Sequence, residues 1–300
     1  MIAGAQERNT DDIVTLMSLL QLADRKTDEK KATALVQKKP NLINQSFTTY
    51  NMTPLLMAIY RKHPIVNAEL FAILLAGTNN LNHQDSEGKA LLHYLAYYAK
   101  PTSRRFGYLK QALEKKALLN LNIRTLHQET PVFMATYARN AEALMLLIKA
   151  GADVTLANDE DQTPLHVACL HGDERCVLLL MAAGAKVNAR DKKGFTPLQY
   201  LAQCKGVKSA ILQRMLQDLL EHGADAGLKS KRHHLPEQGA KQYGNLTLAA
   251  VLQENRVPPL FQLCSRIVCK NIHVYTKQVQ NPTFLPADVR EKLEKQLKCK

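Results

Sequence analysis

A unit of 33 residues recurs through the middle of the chain, and that recurrence limits the fold more than any other feature. "QTPLHVACLHGDERCVLLLMAAGAKVNARDKKG" begins at Gln162, "FTPLQYLA" at Phe195 and "ETPVFMATYARNAEALMLLIKAGADVTLANDED" at Glu129, so Thr130, Thr163 and Thr196 stand 33 apart. Upstream, "MTPLLMAIY" puts Thr53 in the same role, and "KALLHYLA" puts Ala90 there while keeping a histidine at His93. The intervals of 37 and 40 on either side of Ala90 mark small insertions. A unit this short cannot bury its own apolar face, so each copy must pack on its neighbours in an elongated stack.

Each position in the unit has a local task. Threonine before proline starts a helix, because its hydroxyl can accept from an orphan N–H while proline presets the backbone. Runs such as "VFMA" and "ALMLLI" supply the apolar faces, and the second helix ends at Gly77, Gly151, Gly184 and Gly223, where a left-handed residue is expected. Roughly residues 49–228 resemble the ankyrin-repeat family. The resemblance implies an all-α solenoid of about six helix pairs, within a range of five to seven, joined by short β-hairpin loops. In this reading residues 1–48 form a degenerate N-terminal capping repeat, with "IVTLMSLLQLA" and "ATALVQKKPNLIN" as its helices, and residues 49–256 form the solenoid. After Gly223 the pattern stalls in "LKSKRHHLPEQGAKQYG", and "NLTLAAVLQEN" supplies one helix-sized fragment.

The last part of the chain departs from the repeat. From Leu260 the apolar residues Leu263, Cys264, Ile267, Val268 and Ile272 share one helix face, opened by Pro258 and Pro259. No second helix with a glycine stop follows. Instead "FLPADVREKLEKQL" places Leu285 and Pro286 before a second helix. Residues 257–300 therefore resemble a SOCS box, and the whole chain is similar to the ankyrin-repeat and SOCS-box family. The resemblance implies that Leu260, Cys264 and Val268 form the BC-box ridge, flanked by Leu263 and Ile267, that enters a groove on elongin C, with elongin B as its companion. It also implies that Leu285 and Pro286 select a cullin, cullin five ahead of cullin two. Ala287 and Asp288 replace the aliphatic residue and second proline usual there. The alternative for the same spacing is a capping helix that seals the last repeat.

Composition narrows the remaining classes. The formal charge of +13 is uneven: residues 229–300 hold 13 Lys or Arg against 5 Asp or Glu, and no helix face gathers the basic residues into a nucleic-acid stripe. The six cysteines include no C-x-x-C pair, which suits a reducing compartment. The N-terminal "MIAGAQERNTDD" is no signal peptide, and no stretch approaches a membrane span, so a cytosolic or nuclear protein is expected. No nucleophile–base constellation, phosphate-binding glycine loop or metal-ligand spacing is present, and neither catalysis, a cofactor nor a bound metal is expected. His93 and His166 fit an inter-repeat hydrogen-bonding role, and Asn188 an ordinary hairpin role. A protein target is expected to lie on the concave side, against tip residues His127, Gln128, Asp159, Glu160, Lys192 and Lys193, with His171 and Asp173 near the helix-pair turn.

Overall fold

The computed structural model describes residues 12–20, 26–46, 50–60 and 68–255. Among the described residues the regular structure is helical, with no strand. The helices form seven consecutive pairs: α1 (12–20) with α2 (Lys26–Lys38), α3 (Pro54–Tyr60) with α4 (Ala68–Gly77), and α5 (Leu91–Tyr98) with α6 (Arg104–Glu114). The series continues with α7 (Pro131–Tyr137) and α8 (Ala141–Ala150), then α9 (Pro164–His171) and α10 (Glu174–Ala182). It closes with α11 (Pro197–Ala202) and α12 (Ser209–Glu221), and α13 (Pro236–Gln242) and α14 (Leu246–Glu254). First helices pack on first helices and second on second, in two parallel rows.

The core runs unbroken along the stack, from Leu16 and Met17 through Leu109 and Leu180 to Leu252. Leu147, Leu180 and Leu219 are equivalent and fully buried, each contributing about 1.5–3 kcal/mol. Each stands four residues before a helix-ending glycine. There the amide after the glycine returns to the leucine carbonyl at 3.0, 3.0 and 2.9 Å in turn, while Gly151, Gly184 and Gly223 take φ of 101°, 87° and 95°. This is the left-handed stop expected from sequence. Gly77 differs: its φ is not positive, and α4 ends with the Thr78 amide and hydroxyl both on the Leu74 carbonyl.

The seventh pair is the part of the array that the repeat pattern hid. Leu235 stands where threonine stood, yet Pro236 still opens the helix, and Gln238 Oε1 accepts from the Leu235 amide at 2.9 Å. Asn245 then ties α14 back to α11, donating to the carbonyls of Ala202 and Cys204 at 3.1 and 3.0 Å. Asn140 does the same for α8, donating to Ala96 and Ala99. The chain between Gly223 and Glu254 is thus a complete repeat with altered capping residues.

One side chain in each of three first helices, α5, α9 and α11, links neighbouring repeats. His93 and His166 accept from the amides of Ala90 and Thr163 through Nδ1, which places the proton on Nε2, and Nε2 donates to the carbonyls of Glu129 and Phe195 at 3.0 Å. Gln199 makes the same two bonds with an amide group, to the Thr196 amide and the His234 carbonyl. The imidazoles must be neutral to do this. Burial pushes His93 down to about 4 and also lowers His166. Between the unfolded value near 6.5 and the folded value, the unfolded chain binds more protons, so the His93 contribution is complete above about pH 6.5 and is lost as pH falls toward 4. Replacing His93→Gln keeps both bonds and removes the titration. Urea unfolding of wild type is expected to weaken between pH 6.5 and 4 by on the order of 3 kcal/mol more than the variant does.

Candidate protein-interaction face

Between one pair and the next, the chain makes a tight turn, and five of these turns share one construction. They begin at Asp85, Thr125, Asn158, Asp191 and Ser230, whose amides each donate to the carbonyl four residues on, at 2.9–3.0 Å. The same residue accepts, through its side chain, from amides of its own turn: Asp191 Oδ1 from Lys193 and Phe195, Asn158 Oδ1 from Glu160 and Gln162, Thr125 Oγ1 from Glu129. Asp85 and Asp191 are buried, and their second carboxylate oxygen accepts from the hydroxyl of Tyr94 or Tyr200 nine residues on.

Adjacent turns are stitched by single backbone bonds. Ser86 donates to Tyr50, Leu126 to Glu87, Asp159 to His127, Lys192 to Glu160 and Lys231 to Lys193, at 2.9–3.1 Å. The turns therefore line up as one row of exposed side chains. Asparagines reinforce the junctions behind it: Asn188 donates to the Gly223 carbonyl and accepts from the Asp225 amide, and Asn82 treats Leu118 and Asn120 in the same way.

The expected tip residues fall on this row. His127 is exposed with Nδ1 3.2 Å from Asp159 Oδ2, and Gln128 sits at a left-handed φ of 60° with its side-chain Oε1 accepting from Arg124 Nη1 at 3.2 Å. Asp159, Glu160, Lys192 and Lys193 are exposed on two neighbouring turns. His171 and Asp173 lie at the opposite end of the first helix. The Asp173 carboxylate caps α10 by accepting from the Cys176 amide at 3.2 Å, and the His171 carbonyl accepts from Arg139 at 2.7 Å. Leu260, Leu263, Cys264, Ile267, Val268, Leu285 and Pro286 lie outside the described residues.

A second feature of the face is aromatic, and the sequence reading passed over it. Tyr60, Tyr97 and Tyr137 each stand seven residues after the helix-opening position of Thr53, Ala90 and Thr130; Leu170 and Gln203 follow in the next two copies. The Tyr97 and Tyr137 rings lie 6.4 Å apart at 26°, Tyr60 meets Tyr94 edge-on at 5.7 Å, and Tyr137 meets His171 at 5.5 Å. Tyr60 and Tyr137 remain 48% and 52% exposed, which makes them surface rather than core. Between α5 and α7 the tyrosines open a cleft of about 350 Å³ lined by Tyr94, Tyr97, Tyr98, Met134 and Tyr137, with Glu129, Lys89 and His93 at its polar end. The buried Arg105 packs on Tyr98, with its guanidinium 4.9 Å from the ring centroid and Nη2 donating to the Ile59 carbonyl at 3.0 Å. Burial raises the Glu129 carboxyl above its ordinary value. Reading tyrosine in repeat register, rather than along the chain, is the signal that would have found this strip.

Among the described residues, no group of three or more His, Cys, Asp or Glu is placed to hold a metal, and no helix is long and apolar enough to cross a membrane. Cys169, Cys176 and Cys204 are free thiols in the core, and burial pushes all three thiols upward, away from thiolate chemistry.

Residues 103–191 and 132–230 match the family model for ankyrin repeats, described as three copies. No curated protein matches the chain. Over residues 103–230 the helix pairs are thus ankyrin repeats, a repeat type whose extended surfaces serve protein–protein contacts. Its turn residues divide into anchors and presented groups. Asp191→Ala is expected to cost about 2–3 kcal/mol in urea unfolding, since it removes a buried acceptor from two amides and a tyrosine. Lys192→Ala and Lys193→Ala are expected to stay within about 0.5 kcal/mol.

Proposed function

We propose that the protein is the substrate-recognition subunit of an elongin-containing cullin–RING ubiquitin ligase. The observation that carries this reading is the residue pattern after the array: Leu260, Cys264 and Val268 at steps of four, followed by Leu285 and Pro286. Steps of four set three side chains in a narrow ridge along a helix, the form that docks into an apolar groove. The small cysteine in the middle lets the helix approach closely. The resemblance to a SOCS box assigns that groove to elongin C, and assigns the Leu-Pro element to cullin five or cullin two.

The division of labour follows. Residues 1–48 cap the array, residues 49–256 hold the target, and residues 257–300 attach to elongins B and C. The last array helix, α14, ends at Glu254, just before the stretch that opens at Val257. The chain performs no bond chemistry of its own. It acts by holding a protein target beside the charged E2 enzyme, where tethering raises the effective concentration of target lysines at the thioester. Such a protein works in the cytosol or nucleus, where the ubiquitin system operates.

The test is co-expression of the full chain with elongins B and C. Wild type is expected to co-purify with both, and Leu260→Asp to lose them while keeping its melting temperature, because a carboxylate in an apolar groove forfeits the leucine's roughly 1.5–3 kcal/mol and adds a desolvation cost. Equal recovery of elongins with both versions would overturn the proposal. A large drop in melting temperature for the variant would instead assign residues 257–300 to sealing the solenoid of a scaffold that is no ligase.

A further inference from the structure

The row of turns changes charge abruptly. The turn 158–161 presents Asp159, Glu160 and Asp161, all exposed; the next, 191–194, presents Lys192 and Lys193, and the one after it Lys231 and Arg232. The first two of these turns are joined by the Lys192–Glu160 backbone bond at 3.0 Å. Even so, Glu160, Asp161, Lys192, Lys193, Lys231 and Arg232 make no ion pair among the described residues. Asp159 meets only His127, and Glu87 on the first turn of the series is met by its own neighbour Lys89. Opposite charges set side by side and left unpaired are available to something else.

The two halves also differ in what lies beside the charge. The tyrosine strip runs along the C-terminal ends of α3, α5 and α7, and the cleft between α5 and α7 holds the half-buried Glu129 carboxylate together with Lys89. Ring faces and carboxylates together favour lysine or arginine side chains, which can stack on tyrosine and pair with acid. On the basic side the same register positions carry Gln203 and Gln242, and the exposed ring there, Tyr243, is already covered by the Lys205 ammonium at 4.9 Å. A nucleic acid laid along the row would be repelled at the 158–161 turn, whereas a polypeptide can carry both signs.

From this juxtaposition we infer that the turn row binds an extended protein segment of divided charge. Its basic part lies over Asp159, Glu160 and Asp161, and its acidic part lies over Lys192, Lys193, Lys231 and Arg232. This names the chemistry of the target that the proposed function assigns to the array, and it rests on that assignment only for its cellular meaning.

The test uses the full chain and two labelled peptides of identical composition: one with four lysines and four glutamates in separate blocks, the other with them alternating. The block peptide is expected to bind about tenfold more tightly, with a strong salt dependence. Zero-length carbodiimide crosslinking should join its lysines to Glu160, Asp161 or Glu129 and its glutamates to Lys192, Lys193 or Lys231. In the variant Asp159→Lys, Glu160→Lys, Lys192→Glu, Lys193→Glu, whose sites are exposed, the block preference should fall away. Equal affinity for the two peptides, crosslinks on the opposite halves, or an unaltered preference in the swapped variant would overturn the inference. So would an oligouridylate that outcompetes the block peptide at Lys192 and Lys231, since it would assign the basic half to RNA. None of these readings depends on elongins, so a failed elongin co-purification and a failed peptide experiment remain distinct results.

Discussion

The stack depends on neighbouring repeats completing one another. A pair such as α9 and α10 exposes leucine, valine and cysteine on its flanks, and they become core only when α7, α8, α11 and α12 are in place. Apolar burial of this kind is strong and undirected. Direction comes from a small polar set: His93, His166 and Gln199 reach from the start of one first helix to the backbone just before the next, and fix how far one repeat is rotated and advanced on another. A buried polar group that must find its partner allows few arrangements, so these side chains convert general cohesion into one register.

That set also shows how chemistry tolerates substitution along a repeat. Imidazole in its Nδ1-acceptor form and a primary amide both offer one acceptor and one donor at similar reach. Phe133 occupies the same position in α7 and offers neither. There Thr130 carries the cap through its hydroxyl, which accepts from Phe133 at 3.2 Å, and Arg139 supplies the link to the following repeat from the far end of the helix, donating to the His171 carbonyl at 2.7 Å. The link has moved to another residue without the spacing being lost.

How much of this could be read from sequence follows the same division. Where threonine, proline and glycine kept their places, as between Glu129 and Gly223, helix limits and left-handed stops were legible, because each residue acts on its own few neighbours. The α13–α14 pair was not, since Leu235 replaced the threonine and no Gly-Ala-Asp ending follows; only Pro236 and Gln238 retained the signal, and their meaning appears once His234 and Gln199 are seen to meet. His127, Gln128, Asp159, Glu160, Lys192 and Lys193 share one row through their position in the repeat. The tyrosine strip escaped because Tyr60, Tyr97 and Tyr137 are far apart in the chain and meet only through stacking. The anchoring role of Asp191 and Asp85 escaped because an acidic turn residue looks like solvated surface until its hydrogen bonds are known.

Gly194 bears on the recognition surface as well as on the turn. A Cβ there would lie 2.9 Å from the Lys231 amide nitrogen, and at Gly88 one would lie 2.7 Å from the Leu126 amide nitrogen, so these turns close to direct main-chain approach. The pitch of the row is thereby held at its minimum, and the reversal of sign is confined to a single step. Any molecule laid along it meets a phase as well as a charge: slipping by one repeat would bring like charges together at the boundary. The array can thus reject a partner of suitable composition whose own boundary falls in the wrong place.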